Sequence, residues 1–222
     1  MFADRLDAGH RLARELDALR GRDVVVLGLP CGGVPVAAAV AEALDAPLDV
    51  VVVRKLGLPT QPELAMGAIA EGGLRLVDTE LTERMGIDDA ELGRIERRER
   101  AVLDARAARL RHGRRSVPLA GRVAVIVDDG MATGSSVRVA CAAVRLLRAA
   151  RVDVAVPVAP ALTVRELTEA DAVVCVSIPQ RFVAVGRHYL DFAPVGEDEV
   201  IELLDAAARR IGNGHSLSGR AR

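Results

Sequence analysis

The 222-residue chain has no tryptophan, one tyrosine, three phenylalanines and, at Lys55, a single lysine among 30 basic residues. Aromatic residues are 2% of the chain and hydrophobic residues 50%. Aliphatic side chains must therefore fill the core, and stacking on nucleobases is a scarce resource. The three cysteines (Cys31, Cys141, Cys175) are far apart and odd in number, which excludes a disulfide framework and a metal knuckle. No apolar run reaches the roughly 18 residues of a membrane span. The opening MFADRLDAGHR lacks the apolar stretch of a signal peptide. These absences lead to the expectation of a soluble, cytoplasmic protein with no membrane partner. Neither charge sign dominates: 30 basic residues face 31 acidic ones, for a net charge of −1. No nucleic-acid partner is implied. Half hydrophobic and 27% charged is not the composition of a disordered chain, and the length suits one sizeable domain.

What is present is an alternation of helical and strand patterns. Phe2, Leu6, Leu12, Leu16 and Leu19 repeat at helical spacing over residues 3–19, and Gly21 ends the run. DVVVLGLP (23–30) reads as a buried parallel strand, 34–44 as a helix and 48–53 as a second buried strand. Residues 54–64 (RKLGLPTQPEL), polar with one Gly and two Pro, read as a loop and a candidate lid. Residues 66–70 and 74–77 flank Gly72-Gly73 as a β-hairpin. Residues 79–115 read as an inserted pair of helices. The second, from 88 to about 110, is a dense mixture of charges expected to be a solvated, ion-paired helix. Strands follow at 122–127, 152–158 and 172–176, with helices at 135–149, 164–170 and 197–211. Residues 212–222 read as a disordered tail, leaving one domain over 1–211. The alternation predicts an α/β fold with a central parallel sheet flanked by helices. Ligands of such sheets gather beyond the carboxyl ends of the strands.

The segment VAVIVDDGMATGSSV (123–137) carries the chemistry: a buried strand, two acids, then a short Gly/Thr/Ser loop opening a helix. Thr133, Gly134, Ser135 and Ser136 stand where backbone N–H groups lack intrahelical partners. With hydroxyls beside them and the helix dipole behind, they form a cradle for a phosphate monoester. Gly134 lets the backbone come close. Asp128 and Asp129, just before the cradle, can accept hydrogen bonds from vicinal ribose hydroxyls and stabilise positive charge developing on a sugar carbon. The plainer reading is a strand–turn–helix in which Asp129 only caps a turn. Pro30-Cys31-Gly32-Gly33 is a second glycine loop between a strand and a helix, with N–H groups that can face an anion. Arg54 and Lys55 follow the second strand on the ligand side, where two cations suit a di-anionic group.

VIVDDGMATGSS resembles the ribose-phosphate motif of the type I phosphoribosyltransferases, which bind 5-phosphoribosyl-1-pyrophosphate (PRPP) and usually displace its pyrophosphate with a nitrogenous base. RGRDVVVLGLPCGGVPVA, VVRKLGLPTQPELAMGAIAEGG and FVAVGRHYLDF look like a group of bacterial phosphoribosyltransferases, some fused to hydrolase domains. The resemblance implies the type I fold with a helical insertion (79–115) and a small hood (177–196). It implies that Asp128 and Asp129 hold the ribose hydroxyls; Lys55, the chain's sole lysine, is the third catalytic candidate, read with Arg54 as a cation facing the leaving group. It further implies that Gly130, Met131, Ala132, Thr133, Gly134, Ser135 and Ser136 wrap the 5-phosphate. Cys31, Gly32 and Gly33, with Arg54, would meet the pyrophosphate; this loop in the family often holds a strained, sometimes cis, peptide, which singles out the Pro30–Cys31 bond. Mg²⁺ is the implied cofactor, held largely by PRPP and water, with Asp128 and Asp129 as the only candidate protein ligands. A homodimer is in keeping, since related enzymes often pair.

FVAVGRHYLDF (182–192) is similar to the purine-binding lobe of 6-oxopurine enzymes, which implies Phe182 stacking on the base and Asp191 touching the base or a metal-bound water. Two departures qualify this. Ala132 stands where those enzymes have an acid/base Asp, and Cys31 where the family often has Arg or Lys. The acceptor base is left open. A non-catalytic PRPP- or nucleotide-binding regulatory protein of the same fold is the alternative. The glycine pattern of the first turn, G-L-P-C-G-G, is not the G-x-G-x-x-G of a dinucleotide-binding oxidoreductase.

Overall fold

The computed structural model describes residues 1–62 and 64–218. Five parallel strands form the central sheet: β1 (Val24–Gly28), β2 (Leu48–Val50), β6 (Val123–Val127), β7 (Arg151–Val158) and β8 (Ala172–Ser177), in the order β2-β1-β6-β7-β8. Every residue of β1 is buried, as its unbroken aliphatic run requires in a sheet covered on both faces. One face is covered by α1 (Arg5–Glu15), α2 (Gly33–Ala43) and α7 (Glu197–Ser218). The other is covered by α5 (Ser135–Leu146) and by the segment around Leu119, with α6 (Ala161–Glu166) beyond. The chain passes from β1 outward to β2 and later returns to the far side of β1 as β6, so the order reverses between β1 and β6. These two strands end in register, Gly28 opposite Val127. The loops that follow them must therefore emerge side by side.

One expectation is corrected. The run 48–53 is not a single strand, and residues 54–57 are not loop. The chain leaves the central sheet after Val50 and re-forms as β3 (Val53–Gly57) in a second, antiparallel sheet with β4 (Ala65–Ala70) and β5 (Arg75–Val77), order β3-β4-β5. Lys55 pairs with Ala68 across it. An uninterrupted apolar run contains no signal for the point at which a strand changes sheets. Glu63, in the same expected loop, lies outside the described residues.

Helices α3 (Thr79–Arg84) and α4 (Asp89–Arg111) occupy the expected helical insertion, each opened by an aspartate whose carboxylate accepts a backbone N–H: Asp78 from Leu81 and Asp88 from Glu91. Several charges of α4 pair with other elements: Arg54–Glu99, Arg75–Glu96, Arg109–Glu197, and Arg111 with both Asp49 and Glu71. The helix is riveted to the body rather than solvated on its own. Helix α7 continues through Ser218 into the segment read as a disordered tail, and residues 219–222 lie outside the described residues. Among the described residues, no helix is long and apolar enough to cross a membrane.

Candidate active site at the sheet switch point

The loops after β1 and β6 meet as the register requires. The Leu29 N–H donates to the Val127 carbonyl at 2.9 Å. A Cβ on Gly32 would collide with the Asp129 carboxylate, and one on Gly33 would lie 2.6 Å from the Val127 carbonyl oxygen and 2.9 Å from Asp128 Oδ1. The Gly-Gly pair is thus the reason the first loop can lie against the two acids. The Pro30–Cys31 peptide, the bond that the family likeness singled out, is cis. Helices α2 and α5 both start here, and neither has a side-chain cap, in contrast to the aspartate caps of α1, α3 and α4. In α2 the first N–H groups turn back into their own loop, Gly33 donating to the Leu29 carbonyl and Val34 to that of Cys31.

The loop between β6 and α5 is held from behind. The Met131 N–H donates to the Val158 carbonyl (2.9 Å), and the Thr163 hydroxyl donates to the Ala132 carbonyl (2.7 Å). Gly134, with φ +75° and only Thr163 and Met131 side-chain atoms near its missing Cβ, turns the chain into α5. Thr133 and Ser136 are exposed, Ser135 is half-buried, and Gly130 and Met131 are buried.

Two contacts at the acids are absent from any pattern in the sequence. Arg5, from the first turn of α1, places Nε and Nη2 each 2.9 Å from Asp129 Oδ2. Its guanidinium lies 3.9 Å above the Phe192 ring and donates to the Ala193 carbonyl. The Tyr189 hydroxyl donates to the Asp129 carbonyl at 2.5 Å. Helical periodicity marks Arg5 only as a polar position, so nothing in the sequence could have tied it to an acid 124 residues away.

Burial, then the neighbouring Asp129 charge, pushes the Asp128 carboxyl up to about 8. Burial raises Asp129 as well, opposed by its hydrogen bond from Arg5. Near neutral pH the ligand-free pair therefore holds a proton on Asp128, while Arg5 balances Asp129. A cation or hydroxyl donors arriving from a ligand would favour ionisation of Asp128. A consequence for stability follows. The folded protein keeps a proton that the unfolded chain releases near pH 4. In EDTA, the stability of the ligand-free protein should thus fall as pH rises from about 4 to about 8, by up to about 1.4 kcal/mol per pH unit from this group. Urea unfolding at pH 5, 6.5 and 8 should show that slope reduced in Asp128→Asn. An equal slope in variant and wild type would refute the assignment.

The other sequence candidates sit further out. Arg54 and Lys55 on β3 line a cavity of about 660 Å³ together with Ser136, Arg94, Arg98 and Glu99; Asp128 and Asp129 are not among its walls. Arg54 donates through Nε to Glu99 at 2.7 Å. Although Glu99 is itself mostly buried, Arg54 and Arg98 hold its carboxyl below the usual range. Phe182 stacks on His188, with ring centroids 5.6 Å apart and planes 15° from parallel. The exposed Asp191 accepts from the Ala193 N–H. Both belong to a hood tied to the chain start: the Phe2 N–H donates to the His188 carbonyl, and Leu190 and Asp191 donate back to Phe2 and Ala3. Cys31 is half-buried and accepts a hydrogen bond from Arg106 of α4. Cys141 is buried, which drives its thiol up to about 12.

No cluster of three or more His, Cys, Asp or Glu able to hold a metal occurs among the described residues. Asp128 and Asp129 nevertheless fit a hard cation such as Mg²⁺, which takes one or two carboxylates and fills its shell with ligand oxygens and water.

A family model for the phosphoribosyl transferase domain matches residues 3–191. A Mycobacterium tuberculosis H37Rv protein named "Putative phosphoribosyl transferase" is 47% identical over 222 residues, 100% of this chain and 50% of its own length; its counterpart in strain CDC 1551 gives the same figures. The chain thus spans about half the length of the curated relatives it matches. The crystal structure of TT1426 from Thermus thermophilus is 45% identical, covers 92% of this chain and 97% of that one, and superposes with a TM-score of 0.84.

Proposed function

Because this chain belongs to the phosphoribosyl transferase family, we propose that it binds Mg-PRPP and transfers the 5-phosphoribosyl group to a nitrogenous base, releasing pyrophosphate. The observation that carries this reading is the close seating of Gly32 and Gly33 against Asp128 and Asp129, beside the uncapped start of α5. A phosphate, two vicinal hydroxyls and a pyrophosphate then find donors and acceptors in the order in which PRPP presents them.

In this reading the α5 N–H groups and the hydroxyls of Thr133, Ser135 and Ser136 bind the 5-phosphate. Asp128 and Asp129 accept from the ribose hydroxyls. Asp129 then shares its carboxylate between Arg5 and the sugar, or Arg5 swings toward Ala193, whose carbonyl it already touches. Displacement at the anomeric carbon builds positive charge on the ring, and an ionised acid pair stabilises that charge without any covalent nucleophile. Bound Mg²⁺ would neutralise the pyrophosphate. Arg54 and Lys55 approach from the cavity beside Ser136. The hood residues Phe182 and Asp191 frame the entry of the base, with Phe182 leaving His188 if it is to stack.

Isothermal titration with PRPP and Mg²⁺ tests this. Wild type is expected to bind, and Asp128→Asn/Asp129→Asn to lose at least about 2.7 kcal/mol, or a hundredfold. Pyrophosphate release on addition of a base would then establish the transfer. Binding without release for any base favours a regulatory PRPP sensor. No binding at millimolar PRPP would sink both.

A further inference from the structure

The glycine loop after β1, Pro30-Cys31-Gly32-Gly33, carries no arginine or lysine of its own. The structure nevertheless brings one to it. Arg106, in the last third of α4, donates through Nη2 to Cys31 Sγ at 3.2 Å. Its Nε is buried and has no hydrogen-bond partner. That nitrogen lies 3.3 Å from Glu197 Oε1, within ion-pair range but outside hydrogen-bond geometry, and Glu197 gives its other oxygen to Arg109 Nε at 2.9 Å. A guanidinium is thus held beside Cys31 by a weak sulfur acceptor and a misaligned carboxylate that a second arginine already shares. Charged donors normally find oxygen partners when withdrawn from water. Arg106 is poorly satisfied at the edge of a loop whose next two residues abut the acid pair.

We propose that Arg106 is a substrate-binding residue that contacts the pyrophosphate group, so that the inserted helix α4 forms one wall of the active site. The proposal rests on the PRPP reading above. The small thiol of Cys31 leaves room for the guanidinium and competes little for its donors. A pyrophosphate oxygen would supply an aligned charged acceptor, which Glu197 does not, in the planar geometry that suits a guanidinium. Glu197, on α7, then acts as the tether that keeps the side chain aimed at the loop.

The test titrates Mg-pyrophosphate and, separately, ribose 5-phosphate into wild type, Arg106→Gln, Arg106→Lys and Cys31→Arg/Arg106→Gln, with thermal melts of each. Arg106→Gln should weaken Mg-pyrophosphate by at least about tenfold while ribose 5-phosphate affinity stays within about threefold. Cys31→Arg in that background should recover most of the loss, because it returns a cation to the same loop. If Arg106→Gln does not fold, Arg106→Lys, which keeps the charge near Glu197 but loses the fork, should still weaken pyrophosphate more than ribose 5-phosphate. Unchanged pyrophosphate affinity in Arg106→Gln, or equal loss of both ligands, overturns the proposal and leaves the PRPP reading standing. A wild type that binds neither ligand overturns the PRPP reading, and this inference with it.

Discussion

Replacing Arg111 with methionine is expected to destabilise the protein by about 3 kcal/mol, the cost of leaving buried carboxylates without their cation. Arg111 ends α4 and is only 15% exposed. Its Nη1 lies 2.6 Å from Asp49 Oδ1, its Nε lies 2.6 Å from Glu71 Oε2, and its Nη2 donates to the Val50 carbonyl. Burial works against its charge, but the Glu71 hydrogen bond and the Asp49 charge outweigh it and hold its pKa above the ordinary arginine value. One side chain thereby joins the inserted helix, the edge strand β2 and the turn of the second sheet. Asp49 would retain the backbone N–H groups of Val50 and Val117, which keeps the cost at the low end of the range for a broken buried pair. Urea unfolding should show a lower midpoint with an unchanged slope. Adding Asp49→Asn and Glu71→Gln to Arg111→Met should return more than half of the loss, since the unpaired charges are then gone. A loss below about 1 kcal/mol in the single variant, as surface pairs give, would show that water reaches the cluster.

Gly33→Ala is expected to damage the site and the fold together. Its Cβ would stand 2.6 Å from the Val127 carbonyl oxygen, 2.8 Å from Asp128 Cα and 2.9 Å from Asp128 Oδ1. The first two are backbone atoms of the strand end that presents the acids, so no side-chain rotation relieves the clash. Either α2 retreats or the acid pair moves. A loss of about 1–3 kcal/mol in stability should accompany the overpacking. Affinity for Mg-PRPP should fall more than about tenfold, because the glycine loop and the acids would no longer face one ligand at the same spacing. Gly93→Ala in the second turn of α4 is the comparison: there the nearest atom is the flexible Arg97 Nη1 at 3.2 Å, and replacement should stabilise by up to about 1 kcal/mol with no change in binding. If Gly33→Ala binds PRPP as wild type does, the two loops do not act on a common ligand.

The alternation of aliphatic strands and helices is local information, and it was sufficient for the parallel sheet and its helical cover. The D-D-G-M-A-T-G-S-S and P-C-G-G segments were also legible as loops between a strand and a helix, because glycines bounded by a β-branched run and a helical pattern mark such junctions. The passage of residues 48–57 from one sheet to another was hidden inside a single apolar run. So was the fate of Arg54: a cation at a strand end looks available until Glu99 arrives from a helix 45 positions later. Arg5 at Asp129, Tyr189 on the Asp129 carbonyl and Arg106 at Cys31 are likewise long-range pairings. The sequence by itself determined which short segments run from a strand through a glycine loop into a helix, since that depends on backbone freedom and residue chemistry within a few positions. Only the tertiary structure decided which charges stand against those segments, because ion pairs form between whichever side chains packing brings within about 4 Å, and sequence spacing places no limit on that distance.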